Sequence, residues 1–179
     1  MQRLRFGRIA MFAVLAMITS LVVTATPATA AGAYQMRSAA MFSHCLDADY
    51  YGGGANGTKV HLWECATSLP SWQRWSFESR GNGIWKIHSS KGGRCLDADI
   101  SGGPVRNGTK VHLWDCWETS NQLWYQYLVN NRYLFVNGGP GQPYCLDADA
   151  SRPIGNGTLI HLWQCNTFAN QQSWPLVEV

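Results

Sequence analysis

Apolar and polar positions alternate with a period of two in three separated stretches, at 60–65, 111–116 and 160–165. In the first, Val60, Leu62 and Glu64 take one side while His61, Trp63 and Cys65 take the other, and the two later stretches repeat the scheme. Side chains two apart on an extended chain share a face, so each stretch predicts a half-buried β-strand. Before each comes a glycine-bearing loop ending in Asn-Gly-Thr, at 56–58, 107–109 and 156–158. Asn-Gly tolerates positive φ and predicts a tight turn leading into the strand. As Asn-x-Thr it is also a glycosylation acceptor pattern, which matters only in a host that glycosylates there. Short strands bounded by Gly and Asn are expected over 83–89 and 131–138, and helical spacing is not sustained anywhere after residue 30. The chain reads as all-β.

The strands belong to a larger unit. CLDADYYGGGANGTKVHLWEC from Cys45 to Cys65 returns as CLDADISGGPVRNGTKVHLWDC from Cys95 to Cys116 and as CLDADASRPIGNGTLIHLWQC from Cys145 to Cys165. Each copy is followed by a second shared mark, QRW at 73–75, QLW at 122–124 and QSW at 172–174. Three copies at a period of 50 residues describe a small unit that hides its apolar face by packing on its siblings. No linker separates them. The expectation is one body with about four short strands per repeat and pseudo-threefold symmetry, the repeats running approximately 34–80, 81–129 and 130–179.

Residues 1–30 are of another kind. Arg3, Arg5 and Arg8 precede an apolar run from Ile9 to Val23, and Pro27-Ala28-Thr29-Ala30 places small residues where signal peptidase needs them. This predicts a secretion signal, with the mature chain beginning near Ala31 or Gly32. The apolar run is short for a membrane span of ~20 residues, and no second run follows, so no anchor is expected in the mature chain. The signal takes three of the 14 basic residues and none of the 11 acidic ones, which leaves the mature part balanced. No basic stripe survives, and the pI of about 8.6 is no evidence for a nucleic-acid or anionic membrane partner.

All six cysteines fall in the repeats, two per copy, at spacings of 20, 21 and 20. Of the 15 pairings open to six cysteines, repetition singles out Cys45–Cys65, Cys95–Cys116 and Cys145–Cys165. Each would close a loop worth about 3 kcal/mol by chain entropy, in keeping with an exported domain of modest core. The wide even spacing without CxxC argues against a zinc site, and no metal or cofactor is expected.

If paired cysteines face each other on antiparallel strands, Asp47 stands against Trp63 and Asp49 against His61. In the second copy Asp97 stands against Trp114 and Asp99 against His112. A disulfide, an acid, an indole and an imidazole then share one face, while Leu46, Val60 and Leu62 point into the core. Trp63, Trp114 and Trp163 are either ligand platforms or core. The nine tryptophans of the chain, six of them in repeated marks, exceed what aromatic packing alone usually uses. His61, His112 and His161 either orient the neighbouring acids, touch a ligand or complete the framework.

These motifs resemble the ricin B-type lectin family, also called QxW or family 13 carbohydrate-binding modules, through CLD, NGTxVxLWxC and QxW in three ordered copies covering residues 31–179. The resemblance implies a β-trefoil of twelve strands with an intra-repeat disulfide and one shallow sugar pocket possible in each repeat. By the family pattern the sugar is held by the Asp of CLD, the aromatic of LWxC, a polar residue two before it, and an Asn preceding the Gln of QxW. The second repeat matches in full with Asp97, His112, Trp114 and Asn121, histidine standing where glutamine is common. The first keeps Asp47, His61 and Trp63 but has Trp72 before Gln73; the third keeps Asp147, His161 and Trp163, with Gln171 before Gln172 and Asn170 one place earlier. Asp49, Asp99 and Asp149 are expected to support the pockets, and Trp117 to add a wall to the second. Gln73, Gln122 and Gln172, with Trp75, Trp124 and Trp174, take the family's structural role.

The expected activity is binding of sugars, glycans or polysaccharides by a secreted monomer, strongest at the second repeat. An indole face suits the C–H side of a pyranose, and neutral sugars need no charged protein. The alternative is a secreted trefoil that binds or inhibits a protein such as a protease, with its pockets decayed. An enzyme is disfavoured. No serine or cysteine nucleophile accompanies Asp and His in every copy, and Asp97 and Asp99 are too close for facing carboxylates.

Overall fold

The computed structural model describes residues 32–179; the signal expected over 1–30 lies outside them. Four strands arise in each repeat. The first contributes β1 (Tyr34–Met36), β2 (His44–Ala48), β3 (Val60–Glu64) and β4 (Trp75–Ser79). The second contributes β5 (Ile84–Ser89), β6 (Cys95–Ala98), β7 (Thr109–Trp114) and β8 (Trp124–Val129), and the third β9 (Arg132–Asn137), β10 (Tyr144–Ala148), β11 (Ile160–Gln164) and β12 (Leu176–Glu178). The described residues hold no α-helix. A 3-10 turn over Ser71–Gln73, Ser120–Gln122 or Asn170–Gln172 leads into the last strand of each repeat.

Antiparallel pairing joins β12 to β1, β1 to β4, β4 to β5, β5 to β8 and β8 to β9. A bridge between Tyr133 and Trp174 closes the ring into a six-stranded barrel. The hairpins β2–β3, β6–β7 and β10–β11 cap it, touching one another through His161 with Lys110 and the bridges Lys59–His112 and His61–Leu159. This is the β-trefoil. Closure removes the exposed sheet edges that short strands would otherwise present.

The QxW tryptophans fill the centre. Trp75, Trp124 and Trp174 are fully buried, and each indole N–H donates to the carbonyl of Leu46, Leu96 or Leu146 at 3.0 Å, so that no polar atom is stranded. Leu46, Leu62, Leu96, Leu113, Leu146 and Leu162 pack around them, on the core-directed face that the alternation predicted.

The register differs from the expected one by two residues. Cys45, Cys95 and Cys145 stand opposite Trp63, Trp114 and Trp163, and Asp47, Asp97 and Asp147 stand opposite His61, His112 and His161. The expected disulfides form, but each crosses its hairpin diagonally, with Cα atoms 5.1, 5.1 and 5.0 Å apart. Cys65 lies beyond the end of β3, its N–H bonded to the carbonyl of Ser43. A shift of two keeps every side chain on its face, so the grouping of acid, imidazole and indole survives.

The Asn-Gly-Thr turns do more than reverse the chain. Gly57, Gly108 and Gly157 adopt φ of 82, 82 and 86°, which an L side chain rarely takes. Beside them, Asn56 Oδ1 accepts from the backbone N–H of Asp115 at 2.8 Å, Asn107 from Gln164 at 2.7 Å and Asn156 from Glu64 at 2.7 Å. The first repeat is thus pinned to the second, the second to the third and the third to the first.

Candidate functional site

On the face of each capping hairpin that turns away from the core, a buried carboxylate is the first fixed point. Asp97 is 5% exposed. Its Oδ1 lies 3.0 Å from His112 Nε2, while its Oδ2 accepts from Asn121 Nδ2 at 2.8 Å and Gln122 Nε2 at 2.7 Å. Three donors on a group with about four acceptor positions hold it rigidly and leave one position at Oδ1. Gln122 also donates to the Asp115 carbonyl and accepts from the Trp117 N–H, so the Gln of QxW ties carboxylate, strand and following loop together. Asn121 Oδ1 is without a hydrogen-bond partner among the described residues.

The carboxylates orient the imidazoles, and the imidazoles underlie the indoles. His112 and Trp114 stack with ring centroids 5.2 Å apart and 23° between planes; His61 with Trp63 and His161 with Trp163 do so at 5.4 Å. These tryptophans are not core. Trp63 and Trp163 are 45 and 46% exposed and Trp114 is half-buried, in contrast with the QxW tryptophans.

The second repeat encloses a pocket of about 480 Å³. Trp114 and Trp117 wall it, Asp97, His112 and Asn121 form its polar base, and Ile100 borders it. Trp117 is 57% exposed. Asp99 sits at the rim, where its Oδ1 takes the Ser101 N–H at 3.0 Å. Hydrogen bonds from the Ser101 hydroxyl and amide hold the Asp99 carboxyl below its ordinary range, and Ser151 does the same for Asp149. Asp49 likewise caps Tyr51 N–H at 3.0 Å. Each of the three acids, Asp149 through Ser151 N–H at 2.9 Å, therefore caps the loop that follows it.

The other copies depart from this set. In the first, Asp47 meets His61 at 3.2 Å and Gln73 at 2.8 Å, but Trp72 packs edge-on against Tyr50 at 4.9 Å where the second repeat has its amide. In the third, Asp147 meets His161 at 2.9 Å, while its Oδ2 has no partner among the described residues: Gln172 Nε2 keeps its bond to the Gln164 carbonyl but makes none to the acid. Gln171 is half-buried at the position of Asn121, and Asn170 is drawn off to Arg132 at 2.8 Å. The described residues also bring His88 within reach of Cys95 and Cys116, but those sulfurs are bonded to each other and offer no thiolate to a metal. Ile100, Ser101 and Thr119 line the second pocket without having been singled out; they sit in loops that differ between copies, where a repeat gives no guide.

Sequence and structure comparisons place this geometry. The family model described as "Ricin-type beta-trefoil lectin domain-like" matches residues 71–163, and "Ricin-type beta-trefoil lectin domain" matches residues 28–103. No curated protein sequence matches the chain. Among solved structures, the designed threefold-symmetric protein ThreeFoil is similar at a TM-score of 0.72 and 21% identity, over 83% of this chain and 100% of that one. The Rhizoctonia solani agglutinin follows at 0.69 and 17%, over 87% and 100%. An exo-β-1,3-galactanase from Clostridium thermocellum gives 0.69 and 21% over 83% of this chain but 30% of the enzyme, so the likeness is to a part of it. The solved structures show the fold, and the family models, the first of which spans more than half the sequence, show the lineage: the chain belongs to the ricin-type β-trefoil lectin family.

Proposed function

We propose that residues 31–179 form one exported lectin domain whose principal sugar site lies in the second repeat. Carbohydrate binding is the activity that family membership supports. The observation that carries the siting is the 480 Å³ pocket, with two indole walls over a rigid Asp97–His112–Asn121 base. A pyranose lays its C–H face on Trp114 or Trp117, and a hydroxyl takes the remaining acceptor position of Asp97. Asp47, His61 and Trp63, and Asp147, His161, Trp163 and Gln171, form weaker sites. The export signal at 1–30 and three disulfides support secretion, and the protein acts as a monomer without cofactor or metal.

Binding without catalysis fits the carboxylates. Glycoside hydrolysis needs two carboxyl groups open to the scissile bond; Asp97 is engaged by three donors and Asp99 caps a loop. A glycan array run beside a protease-inhibition assay tests the proposal. Array binding that Trp114→Ala abolishes is the expected result. Protease inhibition with a blank array would replace it with the protein-partner reading.

A further inference from the structure

A second depression of about 490 Å³ adjoins the Trp114 pocket, and Ile100 and Asn121 line both. It opens between the loop at Gly103–Val105 and the loop at Gly138–Gln142. We infer that the second repeat holds a two-part groove that takes two adjoining neutral glycosyl residues of an oligosaccharide or polysaccharide, one in each part. The inference rests on the sugar-site reading of the Trp114 pocket.

The lining chooses the ligand class. Ile100, Pro104 and Val105 give an apolar side, Ser120, Asn137 and Gln142 give neutral hydrogen-bonding groups, and no charged residue lines the depression. That mixture suits a ring with one C–H face and several hydroxyls, and it offers no cation to an acidic sugar. Asn121 stands at the junction. Its Nδ2 is spent on Asp97 and on the Ala98 carbonyl and its Oδ1 is buried, so Asn121 shapes the junction without offering the ligand a polar atom. Asn137, itself buried, donates to the Asn121 backbone carbonyl at 2.9 Å and fixes that residue from the far side.

The same scaffold position in the first repeat is shut, so the groove belongs to these residues and not to the fold. There Tyr50 replaces Ile100 and Trp72 replaces Asn121, and the two rings pack together. Lys91 lies 4.8 Å over Tyr50 and 5.6 Å from Trp72. The flanking loops touch: Arg94 Nη1 donates to the Gly54 carbonyl at 2.7 Å, and a Cβ on Gly54 would come within 2.7 Å of the Lys91 carbonyl oxygen. In the second repeat a Cβ on Gly139 would meet nothing within 4 Å, and one on Gly103 only Arg106 at 3.8 Å. The span between cysteines is also one residue longer, 21 against 20.

The test uses the mature protein and four probe pairs: galactose with galactobiose, mannose with mannobiose, xylose with xylobiose, and N-acetylglucosamine with chitobiose. Calorimetry gives affinities, and heteronuclear NMR follows the Trp114 indole and the Gly138 and Gln142 amides. In at least one pair the disaccharide is expected to bind about tenfold tighter than its monosaccharide. Only the disaccharide should move the Gly138 and Gln142 amides. Gln142→Ala, at an exposed position, should weaken the disaccharide and leave the monosaccharide unchanged. Monosaccharides that move Trp114 with no disaccharide gain and no shift at Gly138 or Gln142 would overturn the groove alone, as would a Gln142→Ala variant that weakens both probes equally or neither. Probes that never move Trp114 would overturn the sugar-site reading and the groove with it.

Discussion

Two sets of tryptophans with the same threefold spacing have opposite fates, and the cause is local. Trp75, Trp124 and Trp174 enter the barrel and hydrogen-bond to a leucine carbonyl; Trp63, Trp114 and Trp163 alternate with the buried leucines of β3, β7 and β11 and so face outwards. Trp124→Ala is expected to cost about 3–5 kcal/mol of stability, read by denaturant titration. Trp114→Ala should cost less than about 1 kcal/mol while abolishing sugar binding at the second repeat. Asp99 and Asp149 add a pH signature. Their carboxyl groups are held below the ordinary value, so the stability they contribute is complete above an unfolded pKa of about 3.9 and vanishes as pH falls through the lowered folded value. Melts from neutral to acid pH should show a constant gap between the wild type and Asp99→Asn down to about pH 4, narrowing below it. The contact from the QxW glutamine to the acid was not legible, because it joins Gln73 to Asp47 and Gln122 to Asp97 across the fold of the chain. Sequence could pair these residues only as members of one repeat.

At the scale of strands and turns, the two-residue period determined which face each side chain takes, and the structure agrees for Asp47, Asp97 and Asp147, the histidines opposite them and the tryptophans stacked on those. The offset between strands was not legible in the same way. Cysteine positions fix only that paired residues share parity, and a bridge satisfies that condition whether it runs straight across a hairpin or diagonally. The Asn-Gly-Thr turns were legible as turns from their backbone requirements, whereas the interlocking of repeats by Asn56, Asn107 and Asn156 was hidden, since each bond joins separate copies. Asn107→Ala hands the exposed Gln164 N–H to water and is expected to cost about 0.5–1 kcal/mol. Hydrogen exchange should accelerate at Gln164 while the equivalent amides of Glu64 and Asp115 keep their protection. Equal acceleration at all three would show that the bond does not act locally.

For the whole molecule, threefold repetition serves assembly first and binding second. The barrel takes two strands from each repeat, and the asparagines join the three capping hairpins in a ring, so all three copies must be present even where a pocket has changed. Non-reduced peptide mapping should link 45 to 65, 95 to 116 and 145 to 165, and intact mass should show six hydrogens lost. Unequal pockets also set the binding behaviour. A clustered glycan should bind far better than its free monosaccharide through effective concentration, and much of that gain should disappear with the second site. The account stands most directly on an NMR titration of the wild type and Trp114→Ala with the monosaccharide panel, following the resonances of Trp63, Trp114, Asn121 and Trp163. It predicts saturable shifts that are strongest at Trp114 and Asn121 and that vanish from the second repeat in the variant, with the other repeats unchanged. Shifts at Asn121 that persist in Trp114→Ala, or a variant that loses all three sites together, would contradict it.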